Sequence, residues 1–181
     1  ASEQGHAHAQ YRLGSMYANG DGVPRDVTKA YIWSSIALAD NHVDNLRTNI
    51  YPPFKEKLPS EQLIEAQAEL GAMYEFGESI PQDFIEAMKW YRMASEQGHA
   101  NAQYTLGSMY YVGKGVPEDY IEAYLWWSIS IACGNEGAKE DLEALKAKLS
   151  PEDLIEAQFK IGCMYNAAKG VPQDFTEAMK W

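Results

Sequence analysis

The chain has 181 residues, 46% hydrophobic, 12% aromatic and 23% charged, which is a folding composition long enough for one sizeable domain or several stacked repeats. Its net charge of −11 speaks against nucleic acid and anionic membrane surfaces, which need a surplus of Lys and Arg, and favours a basic or neutral partner. Acidity that serves only to keep the chain dissolved is the plainer alternative. No apolar run approaches the ~20 residues of a membrane span, and no signal-peptide pattern opens the chain. Cys133 and Cys163 sit at no metal-ligand spacing and read as a pair of buried thiols, so the compartment stays open.

In chain order, the first element is a helix with apolar residues Ala9, Leu13, Met16 and Tyr17 on one stripe, ended by the glycine-bearing loop at Gly20. A second helix follows Asp26 and carries Trp33. An extra segment of about residues 41–58 comes next, broken or kinked at Tyr51-Pro52-Pro53. The pattern then recurs: a helix through Leu70-Gly71-Ala72-Met73-Tyr74, Asp83, and a helix with Ala87, Trp90, Tyr91 and Ala94. A third pair runs through Leu106-Gly107-Ser108-Met109-Tyr110, the loop at Gly113, Asp119 and Trp126. An amphipathic extra helix over about residues 135–149 leads to Ser150-Pro151, a good helix start. A fourth pair through Ile161-Gly162-Cys163-Met164-Tyr165 and Asp174 reaches Trp181.

These elements are copies of one unit. ASEQGHAHAQY from Ala1 returns as ASEQGHANAQY from Ala94, and LIEAQAELGAMY from Leu63 returns as LIEAQFKIGCMY from Leu154. The Leu/Ile-Gly-x-Met-Tyr core steps by 36 residues between the second and third units and by 57 and 55 where extra segments intervene. Repeats therefore span approximately 6–40, 60–97, 98–134 and 151–181, the last cut short, in a single solenoid over 1–181. A glycine inside a helix costs about 1 kcal/mol relative to Ala, so its recurrence implies that the second helix comes too close for a Cβ. The aspartates cap the second helices. Glu86, Glu122 and Glu177 three residues on predict capping boxes, and Lys29 in the first unit predicts a weaker cap.

The string GHANAQYTLGSMYYVGKGVPEDYIEAYLWW closely resembles the Sel-one-like repeat (SLR), a relative of the tetratricopeptide repeat (TPR), and the resemblance covers essentially the whole chain. It implies an all-α, right-handed α-α superhelix with an extra helix after the first and third repeats. It also implies an adaptor role, with the first helix of each pair lining a concave groove. By that analogy the groove positions are His8, Tyr11, Ser15 and Ala18; Glu65, Ala68, Ala72 and Glu75; Asn101, Tyr104, Ser108 and Tyr111; and Glu156, Phe159, Cys163 and Asn166. The tyrosines suit interface hot spots, the alternative being that some pack against a neighbouring repeat. Secreted relatives pair two cysteines per repeat. Ser95 and Gln103 stand at such positions here, so those disulfides are not expected. The fourth loop reads NAAKG where the third has YVGKG, which predicts a different conformation.

No catalytic, cofactor or metal motif is present in the sequence. His6 and His8 point about 200° apart on a helix, and His99 reads as a helix-start residue. The expected function is an interaction scaffold that grips a protein or peptide, with Glu65 and Glu75 anchoring basic or amide groups. Two alternatives stand beside it. One is a hydrolase using those carboxylates. The other is a structural array whose apolar ends stack head-to-tail, on the reading that the chain is a segment of a longer repeat protein.

Overall fold

The computed structural model describes residues 2–39 and 58–181. Among them the chain forms helices only: α1 (Ser2–Asn19), α2 (Val27–Ala39), α3 (Ser60–Phe76), α4 (Phe84–Ser95), α5 (Ala100–Val112), α6 (Tyr120–Ala132), α7 (Ala138–Lys146), α8 (Pro151–Ala167) and α9 (Phe175–Ala178). The extra helix read at residues 41–58 lies outside the described residues, apart from Leu58. Two compact units result, Ala1–Ala66 and Gln67–Trp181. In the first, α1 packs on α2. In the second, α5 packs on α4 and on α6, α6 also meets α7 and α8, and α8 meets α9.

The repeated glycine is where each pair closes. A Cβ on Gly107 would stand 2.6 Å from Trp127 Cδ1 and 3.2 Å from the Ala123 carbonyl oxygen. On Gly14 it would meet Ser34 Oγ at 2.6 Å and the Ala30 carbonyl at 3.2 Å, and on Gly71 the Tyr91 ring at 2.7 Å. At Gly162 the nearest atom is the Ala178 carbonyl, at 3.1 Å. The residue twenty positions downstream is the one pressed against the glycine in the first three repeats: Ser34, Tyr91 and Trp127. Hydrogen removes the side chain on one helix so that a ring or hydroxyl on the other can lie flat against the backbone.

The connecting loop is built the same way four times, with two left-handed residues two positions apart: Gly20 and Gly22, Gly77 and Ser79, Gly113 and Gly115, Ala168 and Gly170. Ala168 (φ 53°) ends α8 by donating its N–H to the Met164 carbonyl, as Gly113 (φ 69°) ends α5 on Met109. The expected difference in the fourth loop is therefore absent: Ala168 takes the left-handed position that Gly113 takes in the third, at a cost of about 1 kcal/mol.

Each loop then delivers an aspartate. Asp83 Oδ1 accepts the N–H of Ile85 (2.9 Å) and Glu86 (3.0 Å), Asp119 accepts from Glu122 (2.9 Å), and Asp174 from Thr176 (2.8 Å) and Glu177 (3.0 Å). Asp26 accepts from Lys29 at 2.9 Å, so the first repeat has this cap as well. The boxes do not close, and the reason is a competing acceptor. The aspartate N–H already donates to the carbonyl of the motif tyrosine: Asp26 to Tyr17 (2.9 Å), Asp83 to Tyr74 (2.9 Å), Asp119 to Tyr110 (3.0 Å) and Asp174 to Tyr165 (3.3 Å). The glutamates turn elsewhere, Glu86 to Lys89, Glu122 to Trp126 and Lys160, Glu177 to Lys180. Among the helices whose caps are described, the reciprocal box is at Ser150 and Asp153, where the Ser150 hydroxyl accepts the Asp153 N–H at 3.1 Å and the Asp153 carboxylate accepts the Ser150 N–H at 3.1 Å.

Contacts between repeats are polar as well as apolar. Gln103, fully buried, donates through Nε2 to the Ser95 carbonyl (2.9 Å) and to the Gly170 carbonyl (2.6 Å), tying the second, third and fourth repeats together. The Cys133 thiol also donates to the Gly170 carbonyl, at 3.3 Å. Cys133 is half-buried, which pushes its thiol up from its ordinary value. Cys163 is exposed, correcting the expectation of two buried thiols.

Candidate functional site

The outward row of the first helices divides by position. The residue six before each glycine is exposed in every repeat: His8, Glu65, Asn101 and Glu156. The residue three before it, Tyr11, Ala68, Tyr104 and Phe159, is half-exposed in the first three repeats and 69% exposed in the fourth. The residue after it is half-buried as Ser15, Ala72 and Ser108 and exposed as Cys163. The residue four after it is half-buried as Ala18 and Tyr111, buried as Glu75 and exposed as Asn166. The internal positions barely change in chemistry while these do. One frame thus presents four different sets of side chains.

Third-repeat residues are not a bare groove. Tyr104 stacks on Trp127 with ring centres 6.2 Å apart, and its hydroxyl donates to Asp141 Oδ2 at 2.8 Å. That bond, followed by burial, pushes the phenol above its ordinary value. Tyr111 lies 5.4 Å from Trp127 and 5.5 Å from Tyr120, and its hydroxyl accepts from Lys148. Asn135 Nδ2 donates to Asn101 Oδ1 at 3.2 Å. Ser108 Oγ donates to the Tyr104 carbonyl at 3.0 Å, and the Trp127 indole N–H donates to that carbonyl (3.1 Å) and to Ser108 Oγ (3.3 Å). Asn135, Asp141 and Lys148 all belong to the extra segment around α7. The sequence reading treats that segment as a plain amphipathic helix. Its role as a partner for the outward row has no local signal, because the contacts bridge 34 to 37 positions in the chain.

The second repeat differs again. Glu75 is buried, accepting from the Tyr91 hydroxyl (2.8 Å) and pairing with Lys114 (3.0 Å), whose ammonium also lies 4.6 Å from the Phe84 ring centre. Glu75 is thus spent inside the protein and is not the surface anchor expected of it. The cause is the long reach of Lys114 from the third repeat's loop. Burial, with this hydrogen bond, pushes the Tyr91 phenol well above its ordinary range.

The Sel1 repeat profile matches residues 7–42, 64–99, 100–135 and 155–181. The chain belongs to the Sel1 repeat family. Among solved structures, it is similar to c5321, a protective antigen present in uropathogenic Escherichia coli strains displaying an SLR fold, at 30% identity and a TM-score of 0.50 over 98% of this chain. It is similar also to a Sel1 repeat protein from Oxalobacter formigenes, at 32% identity and a TM-score of 0.48, covering 77% of this chain and 90% of that one. The chain spans 37% of the length of the E. coli antigen. No curated protein matches it.

Sel1 repeat proteins are generally protein-interaction scaffolds, and the family is typically non-enzymatic. The all-α helix-pair fold seen here is that of the family. His99 caps α5, its Nδ1 accepting the Ala102 N–H at 3.0 Å, a structural use of a ring that a search for catalytic groups would single out. Among the described residues no cluster of three or more His, Cys, Asp or Glu is placed to hold a metal ion. Among the same residues no helix is long and apolar enough to cross a membrane.

Proposed function

We propose that the chain holds a protein or peptide partner on the outward row of its first helices, and that within Gln67–Trp181 the principal contacts are Asn101, Tyr104, Ser108 and Tyr111 on α5 and Glu156, Phe159 and Asn166 on α8. The observation that supports this reading is the contrast within one frame. Positions against the second helix repeat as Leu/Ile, Gly, Met and Tyr, while the positions facing outward change from repeat to repeat and, Glu75 apart, stay at least partly exposed. A packing role needs sameness at those sites, and recognition of a particular partner needs difference. Phe159 supplies flat apolar area beside Glu156 and Asn166. Basic groups on the partner suit the net charge of −11. In the first unit, His8, Tyr11 and Ser15, with Glu65, offer the same kind of row; Ala68, on the α3 segment of the second unit, adds a small apolar contact.

The test is a paired substitution. Phe159→Ala with Glu156→Ala is expected to weaken capture of a partner isolated with the intact chain by tenfold or more, on the order of 1.4 kcal/mol or above, with helicity unchanged. Unchanged affinity in the folded variant removes this row from the binding surface. Head-to-tail stacking is the second reading, and mass that grows with concentration would favour it.

A further inference from the structure

The third repeat contains a trio of rings that no other repeat has complete, although Phe84 and Phe175 match Tyr120 and Tyr91 matches Trp127. Tyr111 is matched by Ala18, Glu75 and Asn166, and Trp127 by Ser34 and Tyr91. Tyr111 and Tyr120 stand 5.5 Å apart, tilted by 33°, and Trp127 lies 5.4 Å from Tyr111 at 38°. Trp127 is buried and held by its two N–H contacts, so it forms a fixed floor. At the rim of this cluster sits an ammonium, which donates to the Tyr111 hydroxyl. Lys148 Nζ is 4.6 Å from the Tyr111 ring centre and 5.6 Å from that of Tyr120. Glu118, accepting from the Tyr120 hydroxyl at 3.2 Å, adds a carboxylate at the rim.

A phenol oxygen accepts from an ammonium, and the negative charge density of two neighbouring rings adds to the attraction, so the pair makes a receptor for a cation. Lys148 is an exposed side chain on a flexible stem just past the end of α7, so it can leave without opening the core. A lysine tethered this closely competes at an effective concentration in the millimolar range. A single free ammonium in dilute solution does not displace it, whereas a partner that also grips neighbouring positions does.

We propose that Tyr111 and Tyr120, over Trp127, form a subsite for an alkylammonium group, the side chain of a lysine on the partner protein, and that Lys148 fills it in cis until that lysine takes its place. This rests on the reading of the α5 surface as a protein-binding one. It names the chemistry that one repeat recognises.

The experiment is an NMR titration of the whole chain with Nα-acetyl-lysine amide, against Nα-acetyl-norleucine amide as the uncharged control, in the natural sequence and in Lys148→Ala. The variant is expected to bind the lysine probe about fivefold more tightly than the natural chain, with shifts confined to the Tyr111, Tyr120 and Trp127 rings, and to ignore norleucine. Adding Tyr111→Leu to Lys148→Ala is expected to abolish those shifts. Lys148→Met, which keeps the stem and removes the charge, repeats the test if the alanine variant is poorly folded. Absence of ring shifts in both folded variants, or equal shifts with norleucine, overturns the subsite. Failure of the wider protein-binding reading would appear separately, as unchanged partner affinity after substitution of Phe159 and Glu156.

Discussion

The outward rows of α5 and α8 occupy the same positions relative to their glycines and meet opposite fates. On α5, Asn101, Tyr104 and Tyr111 each find a partner in the segment around α7, and both tyrosines are half-buried. On α8, Glu156, Phe159 and Asn166 are exposed, with Glu156 pairing with its helical neighbour Lys160 at 3.1 Å. The frame beneath is shared: a glycine at the closest approach, a left-handed pair in the loop, an aspartate at the cap. What an outward position does is therefore decided by what lies beside the repeat and not by the repeat itself. A sequence that inserts a helix after one repeat converts part of its presenting surface into an internal joint.

The comparison breaks hardest at the glycines. Gly107→Leu drives a side chain into the buried Trp127 ring and is expected to destabilise the second unit by about 3 kcal/mol or more, read by chemical denaturation. Gly162→Leu, facing mainly the Ala178 carbonyl at 3.1 Å, is expected to cost less. Equal costs would mean that the third pair is no tighter than the fourth.

Next in size is a pH effect in the second repeat, where the matching row position, Glu75, is internal. The Tyr91 phenol is raised in the folded chain, so its contribution is fully present below the ordinary tyrosine value of about 10 and is lost as pH rises beyond it, by up to about 1.4 kcal/mol per unit. Tyr91→Phe is expected to remove that part of the alkaline decline, and an unchanged alkaline profile would contradict the assignment. Ala168→Gly makes the fourth loop chemically like the third and is expected to stabilise by about 1 kcal/mol; destabilisation would show that the left-handed residue is not strained. Smallest is Asp141→Ala, expected to cost about 0.5 kcal/mol while lowering the Tyr104 ionisation toward its ordinary value, followed by ultraviolet titration.

Much of the frame was legible because its causes are local and recur. Gly107 and its three counterparts announce a close approach wherever they stand, and an aspartate before a helix announces its cap. Three features escaped for a physical reason each. Glu86, Glu122 and Glu177 have box spacing, but a tyrosine carbonyl from the preceding helix takes the N–H they need. Ala168 carries no sign of a left-handed turn, because its own side chain does not favour that conformation as glycine does. Tyr104 and Tyr111 read as surface, yet Asp141 and Lys148, both 37 positions away, come back over them. Residue spacing encodes what one helix or one turn does, and lateral packing between segments leaves no such trace.

The most direct measurement places a photo-crosslinking amino acid, one site at a time, at Asn101, Glu156 and Phe159 on the first helices and at Ile85 and Lys89, exposed on a second helix, and maps where a bound partner attaches. Crosslinks at the first three sites and none at the last two are predicted. Equal labelling of both sets, or labelling of Ile85 and Lys89 alone, would contradict a binding surface built from the outward row of the first helices.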